Sequence, residues 1–486
     1  MATSRNQGYI GKAVANLTGW FGSLTNRINS ASYVGATGES MNAALEAERP
    51  VLTPRIELEY RNNPVLQGVV NSYAARMVGQ AGPQVRVVTQ ETDYANKLES
   101  IWGRWWNEYC DFEGREHGPD KLRMWLGPLL WNHGDIFEQY VTANPMVPID
   151  LPSLRLKSVH PNRVKNPGVG GLDPYMQEGV EIDATGRVIR YHVGDPIDDA
   201  LSFATTAIPA ADMLHYYEPA EPGQLRGAPL AACALQTITD LRDLDKHVLE
   251  SMKIAATLGG AVLESPNNGG EFSPEPVDLS TWTKWEIKTG SMTAAPVGYS
   301  IKQLKPEQPG VNHVEYRDER LREIGRARNI PLLNIKADSA GYNYSSMRWT
   351  DGEYEQSLMF DRGKIERKIL NVIFARFFAE CVNMGLIGPR PKDMKVQWVW
   401  SKKPNVDPQK EANGQATELE NGLTTLHRAC AERGIDYDQL VSELQAEIEQ
   451  VESMGGVHPF LRSTVPAEQI PEDDGDDAPK KGKEDD

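Results

Sequence analysis

Tyr316-Arg-Asp-Glu-Arg-Leu-Arg-Glu-Ile-Gly-Arg-Ala-Arg-Asn329 runs directly into Ile330-Pro-Leu-Leu-Asn-Ile-Lys-Ala-Asp-Ser-Ala-Gly-Tyr-Asn-Tyr-Ser-Ser346, and an apolar repeat then continues to Phe377. The first piece reads as a charged helix. Asp318 and Arg322 stand one turn apart and Glu323 reaches Arg326, so much of its surface belongs in water. Leu321, Ile324 and Ala327 leave a narrow apolar seam, which suits a helix packed edge to edge in an assembly; Pro331 stops it. In the second piece Gly341 and Asn343 permit unusual backbone angles and Lys336 is the lone cation, the marks of a loop with something to touch. Ser345 or Ser346 can cap a second helix, whose Leu358, Ile365, Ile369, Val372, Ile373 and Phe377 recur at helical spacing and predict burial.

Working outward, 486 residues leave room for roughly two to four domains. No run approaches the ~18 to 20 apolar residues of a membrane span, and Met1-Ala-Thr-Ser-Arg-Asn-Gln7 lacks a signal-peptide core, so the expectation is a soluble chain made and kept inside a cell. Cys110, Cys233, Cys381 and Cys430 lie far apart, which predicts reduced thiols rather than zinc or a disulfide frame. The net charge of -17 argues against a protein that grips DNA, because that affinity comes from neutralising phosphates with Lys and Arg.

Residues 1–50 read as a mobile arm with one short amphipathic helix around Leu17, Trp20, Phe21 and Leu24. Val65 to Val78 predicts a helix and Gln84 to Val88 a strand, the start of a mixed domain over 51–228. Trp102, Trp105 and Trp106 are spaced for one helix face and predict core. Lys121 to His133 predicts a helix stopped at Gly134-Asp135, with strands at Ile136–Val141 and 151–159. His117, His133 and His160 read as structural, since no pair has ligand spacing on one element. Glu181 and Asp183 share a strand face of the hairpin turning at Gly186, where turn and strand-surface chemistry outweighs an acid/base reading.

In Glu221-Pro-Gly-Gln-Leu-Arg-Gly-Ala-Pro229, Gly223 and Gly227 allow a tight turn and Pro229 is placed to open a helix. That helix, 229–257, carries Ile238, Leu241, Leu244, Val248, Met252 and Ala255 in a near-heptad seam and needs a partner; its charged faces include Asp243, Lys246, Glu250 and Lys253. Residues 258–313 form an excursion between helices, with Trp282 and Trp285 either anchoring contacts or filling a small core. Lys395 to Trp400 predicts a strand, Asp407-Pro408 a helix start, and 404–455 helices broken at Gly422 and Gly434. The acidic tail, 456–486, is too polar to bury anything.

Taken in order, the charged helix, Ile-Pro-Leu-Leu, Asp-Ser, Tyr-Asn-Tyr-Ser-Ser-x-Arg and long helix resemble the lambda-type portal proteins of tailed bacteriophages, as do the Gly-x-Glu-x-Asp hairpin and Pro-Gly-Gln-x-Arg-Gly. Glu221 departs from that pattern, where the family commonly has Arg, which weakens any phosphate contact there. The resemblance implies an α+β portal fold: a mixed wing (51–228), stem helices (229–257 and 314–330), a small α/β clip (258–313), a tunnel loop (331–346), a long wing helix and strand (347–403) and a helical crown (404–455). It implies a ring of twelve copies at one capsid vertex, ~-200 charges in all, through which double-stranded DNA enters and leaves. Lys336, Asp338, Tyr342, Asn343 and Tyr344 then face DNA, while Asp243, Lys246, Glu250, Lys253, Arg317, Arg320 and Glu323 line the stem. Trp282 and Trp285 mark a clip interface. Implied partners are the terminase large subunit, major capsid and scaffold proteins and a head-tail adaptor. No membrane, cofactor or metal is implied. The expected place is the virion, after assembly in the host bacterial cytoplasm.

No Gly-x-Ser-x-Gly elbow, phosphate loop or His-Glu-x-x-His helix occurs, so no catalysis is expected and ATP hydrolysis would belong to a partner. Two rival readings stay open: a metal-dependent packaging enzyme using Asp338, Asp351 and Glu355, or a monomeric adaptor.

Overall fold

The computed structural model describes residues 40–142, 148–168, 175–195, 204–256, 261–264, 300–303, 313–401, 408–433, 435 and 437–453. The chain divides into two compact units, one of Met1–Val78 with Val85–Gln397, the other of Gly79–Gln84 with Trp398–Asp486.

In the first unit Ser40 caps α1 (Met41–Asn62), its hydroxyl accepting from the Ala43 amide. Leu45, Leu52 and Ile56 bury one face of this helix. The assignment of residues 1–50 to an arm therefore needs correcting, because 41–50 already pack into the core; the Leu17 to Leu24 helix lies outside the described residues. α2 (Pro64–Val78) begins on proline, where a missing N–H costs nothing. β1 (Gln84–Val88) leads to α3 (Thr92–Arg104), which continues through a π-turn at Trp105–Tyr109. α4 (Gly118–Met124) and α5 (Leu130–His133) flank a second π-turn, and Gly134 ends the run at φ +82°, as expected from its position.

The tryptophan stripe is core. Trp102, Trp105 and Trp106 are at most 2 % exposed. Trp102 meets Phe377 edge to face at 5.0 Å and Phe374 at 5.3 Å, while the Trp105 indole N–H donates to the Leu154 carbonyl at 2.8 Å.

Two antiparallel sheets follow. β2 (Asp135–Thr142) pairs with β3 (Leu154–Val159) on one side. β4 (Met176–Gln177), β5 (Val180–Ile182), β6 (Val188–Gly194) and β7 (Thr205–Pro209) form a meander, and β8 (Met213–Tyr217) returns beside β2 with Phe137 opposite His215. In the β5–β6 hairpin Glu181 meets His192 (2.9 Å) and Arg190 (3.2 Å), and Asp183 accepts from the Thr185 and Arg187 amides. Their chemistry is that of a turn and a strand surface, as read from the sequence.

A 3-10 turn at Ala232–Ala234 precedes α6 (Leu235–Ala256), so Pro229 does not open this helix but accepts the bond that starts the turn, from Ala232 N. β9 (Ala261–Glu264) and β10 (Ser300–Gln303) pair antiparallel, Glu264 opposite Ser300. Trp282 and Trp285 lie outside the described residues. α7 (His313–Arg326), the short α8 (Leu332–Lys336) and α9 (Tyr344–Ile365) come next; a π-turn joins α9 to α10 (Asn371–Asn383). β11 (Lys395–Val399) pairs with β1.

In the second unit α11 (Pro408–Glu420) ends near Gly422 at φ +69°, Thr425 caps α12 (Leu426–Glu432), and α13 (Tyr437–Ser453) completes the described chain. Gly434 and the tail 456–486 lie outside the described residues.

Candidate functional site

The helix pair α6 and α7 packs as the seam of α6 requires at its start: Ile238 and Leu241 are buried. Further along, the seam residue Met252 and its neighbour Leu249 are half exposed. Arg317 reaches across to Asp245 at 3.3 Å. The other charges are mostly paired locally. Arg320 holds Glu323 at 2.9 Å and lies over the Tyr316 ring, and Arg322 pairs with Glu319 at 2.6 Å. Asp243 takes Arg242, which also reaches the buried Glu59, and Glu250 sits 3.5 Å from His247. Lys246 and Lys253 are exposed.

α7 stops earlier than Pro331 alone predicts. Asn329 adopts a left-handed φ of +56° and the Ile330 amide returns to the Gly325 carbonyl at 2.9 Å, a closing turn that satisfies the helix's last carbonyls. Gly325 is required there, since a Cβ would sit 2.3 Å from Ile330 O and from Ile335 Cδ1. The turn moves the seam: Leu321, Ile324 and Ile330 are buried, while Ala327 is exposed. It also aims Arg328 inward. Its guanidinium grips Glu218 through two bonds (2.8 and 3.0 Å), lies 3.4 Å from Asp361 and covers the Tyr73 ring. Burial alone would raise the Glu218 carboxyl, but Arg328 outweighs it and holds the carboxyl below its usual range.

Beyond α8, Ala337 (φ +50°) and Gly341 (φ +82°) turn the chain. Lys336 is paired with Asp318 at 3.0 Å rather than extended. Asp338 closes a local turn by accepting from the Ala340 amide at 2.9 Å. Asn343, not Ser345 or Ser346, caps α9: its side-chain oxygen accepts from the Ser346 amide at 2.8 Å. Tyr342 is half-buried and Tyr344 is 47 % exposed on the first turn of α9. One turn further, Arg348 is exposed and makes no ion pair among the described residues. The buried face of α9 holds Tyr354, Leu358 and Ile365; the opposite face leaves Trp349 71 % and Phe360 67 % exposed. The carboxylates of the enzyme reading are otherwise engaged, Asp351 by Arg76 and Glu355 by Arg362 (2.8 Å), while Asp338 stays in its turn.

The Pro-Gly-Gln-Leu-Arg-Gly segment builds a buried hub that sequence reasoning missed. Arg226, 2 % exposed, places Nε 2.8 Å from Asp135 and donates to the carbonyls of Glu178, Val164 and Pro161. Asp135 also takes the Gly227 amide (2.6 Å), Arg49 (3.2 Å) and His215 (3.1 Å). Burial alone would raise the Asp135 carboxyl; Arg226 and Arg49 reverse that and hold it far below the usual range. Gln224 locks the turn, its amide donating to Arg226 O at 2.7 Å. Glu221, the departure noted in the sequence, accepts from the Met41 amide at the start of α1.

The sequence profile of the phage portal protein, lambda family, matches residues 27–360, more than half of the chain. The chain belongs to the lambda family of phage portal proteins. Portal protein B of Escherichia phage lambda is 21 % identical over 390 residues, covering 72 % of each chain. The portal protein of Escherichia phage N15 is 21 % identical over 332 residues, 60 % of this chain and 61 % of that one. Among solved structures, a chain from the neck of an empty GTA particle aligns with a TM-score of 0.40 at 13 % identity, covering 82 % of this chain and 95 % of that one. Within this portal-family chain the matched stretch contains the hub, both paired helices and the loop.

Two of the three histidines read as structural come together. His133, 4 % exposed, lies with its ring centroid 4.6 Å from that of His160, and Glu57 of α1 places Oε1 3.5 Å from His133 Nε2. His117 instead meets the Asn107 carbonyl.

Proposed function

We propose that this chain is the subunit of a twelve-fold portal ring through which double-stranded DNA passes into and out of a phage head. The observation that carries the reading is the paired α6–α7 stem, closed behind by the β9–β10 ladder and leading directly into the exposed turn before α9, in a chain of this family. The segments 229–257 and 314–330 serve as stem, 258–313 as clip and 331–346 as tunnel loop. Leu249 and Met252 on the stem, with Trp349 and Phe360 on α9, are apolar groups that a neighbouring copy would cover.

In this reading the protein is a structural conduit and terminase supplies the work of packaging. Capsid and scaffold proteins surround the ring, and an adaptor later meets the clip; the mature location is the virion. Among the described residues no helix is long and apolar enough to cross a membrane. Lys336, Asp338, Tyr342, Asn343 and Tyr344 lie on or beside the loop that meets the duplex, and Arg348 joins them as an exposed cation. Contacts from such groups to sugar and phosphate are weak and blind to sequence.

Light scattering and negative-stain images of the full-length protein test the assembly: rings near twelve times 54.0 kDa are expected. Lys336→Glu and Arg348→Glu then test the loop. Both variants should assemble and package DNA poorly; loss of rings would refute a role confined to the channel.

A further inference from the structure

We propose that Glu57, His133 and His160 form a binding site for one divalent transition-metal ion of the zinc class, built into the first unit beside the buried hub. One ligand atom from each residue lies within 4.8 Å of the others. Two imidazoles and a carboxylate are a donor set that zinc accepts, and bonds of about 2.0–2.1 Å in a tetrahedral arrangement ask for ligand atoms about 3.4 Å apart. The cluster must therefore close by little more than an ångström at its widest, and His133 Nε2 and Glu57 Oε1 already stand 3.5 Å apart.

Three features go beyond proximity. Each ligand is set by a different element: Glu57 by α1, His133 by the end of α5, and His160 by the turn after β3, where its Nδ1 accepts from the Asn162 amide at 3.3 Å. Glu57 is oriented as well, by Asn162 at 3.4 Å on one oxygen and Arg61 at 3.3 Å on the other. Last, His133 is poorly satisfied as it stands. Its Nε2, the ring nitrogen that faces the cluster, stands 3.5 Å from Glu57 Oε1, too far for a good hydrogen bond.

His133 is buried beside the Glu57 carboxylate, and an imidazole with a carboxylate is a donor pair that an ion of the zinc class accepts. His160 is exposed, which leaves the cluster open to solvent on that side for a water to complete the shell. A bound ion would clip α1 to the strand-bearing part of the unit, adding a second tie beside Arg49.

The test uses full-length protein carrying Cys233→Ser, so that its exposed thiol does not compete, stripped with chelator and titrated with zinc chloride by calorimetry. Cobalt(II) absorption reports the donors. One zinc per chain is expected, with a rise in melting temperature and a cobalt spectrum of nitrogen and oxygen ligands without a thiolate band. His160→Ala, at an exposed position, should keep the fold by circular dichroism yet weaken zinc at least about tenfold and abolish the metal-induced rise. Glu57→Gln should do the same in weaker form. Equal zinc affinity and equal thermal response in the parent and His160→Ala, a thiolate band, or no saturable zinc binding in the parent would each overturn the site.

Discussion

Arg226→Ala removes a guanidinium that is 2 % exposed and serves four acceptors at once: Asp135 at 2.8 Å and the carbonyls of Glu178 (2.7 Å), Val164 (3.2 Å) and Pro161 (3.2 Å). Breaking one side of a buried ion pair costs about 3–5 kcal/mol, because the remaining charge stays desolvated. Here Arg49 and His215 still face Asp135, which argues for the lower end of that range. The stranded carbonyls add about 1 kcal/mol each where water cannot reach them. A total near 4–6 kcal/mol follows, of the order of a whole domain's stability. Arg226→Lys keeps the charge but not the planar fork, so about 2 kcal/mol is expected instead. Urea unfolding of the first unit followed by circular dichroism, at pH 7 and again at pH 3, measures both. Asp135 has its carboxyl depressed in the folded state, so its contribution is full above the ordinary carboxylate range and fades as pH falls below about 4. The difference between parent and Arg226→Ala should shrink at pH 3. A loss below about 1 kcal/mol for Arg226→Ala at pH 7, or a loss that does not depend on pH, would show that the hub is not what holds these segments together.

Glu138 behaves in the opposite sense. Burial raises its carboxyl to about 7 despite Lys121 at 3.6 Å, so the folded state binds an extra proton between about 4.5 and 7 and stability falls as pH rises through that window. Glu138→Gln should raise the melting temperature at pH 8 and flatten the profile; an unchanged slope would contradict the assignment. Gly325→Ala should cost about 1–3 kcal/mol, since Ile330 O and Ile335 must give way, and should loosen Arg328 with it; a neutral result in thermal melts would mean that the turn relaxes freely. Trp349→Ser with Phe360→Ser should leave the unfolding free energy within about 0.5 kcal/mol of the parent while weakening ring formation in light scattering. A drop in stability without a change in assembly would place these residues in the fold instead.

Local patterns were legible in the sequence. The tryptophans of α3, the strand after Gly134, the hairpin at Gly186 and the break at Gly422 all follow from periodicity or from a glycine at a positive φ, which are properties of a few consecutive residues. The end of α7 was half legible. Pro331 announced a stop, but Gly325 and Asn329 make the turn, and only the close approach of Ile330 shows why. The cap of α9 was ambiguous because Asn343, Ser345 and Ser346 can all accept an amide; the turn at Gly341 delivers Asn343 to the position. The hub was not legible. Arg226 and Asp135 are 91 residues apart, and Arg49 is 178 residues from the Gly227 carbonyl it reaches, so no window of sequence contains the partnership. Glu57, His133 and His160 were hidden in the same way, each on a separate element.

The hub changes how the Pro-Gly-Gln-Leu-Arg-Gly segment should be understood. An arginine in a glycine-rich turn invites a phosphate contact, yet Arg226 spends its donors on Asp135 and on backbone carbonyls and is not exposed. The same accounting applies at the loop, where Asp318 neutralises Lys336 and leaves Arg348 as the exposed cation of that neighbourhood. With a net charge of -17, the chain would hold a duplex loosely, because each neutralised phosphate adds to both affinity and salt dependence. In a channel that is the useful regime: DNA must be centred but must also move. The acidity that argues against a DNA-gripping protein is thus compatible with the proposed conduit, and the hub arginines Arg49 and Arg226 are buried against Asp135 rather than presented to solvent.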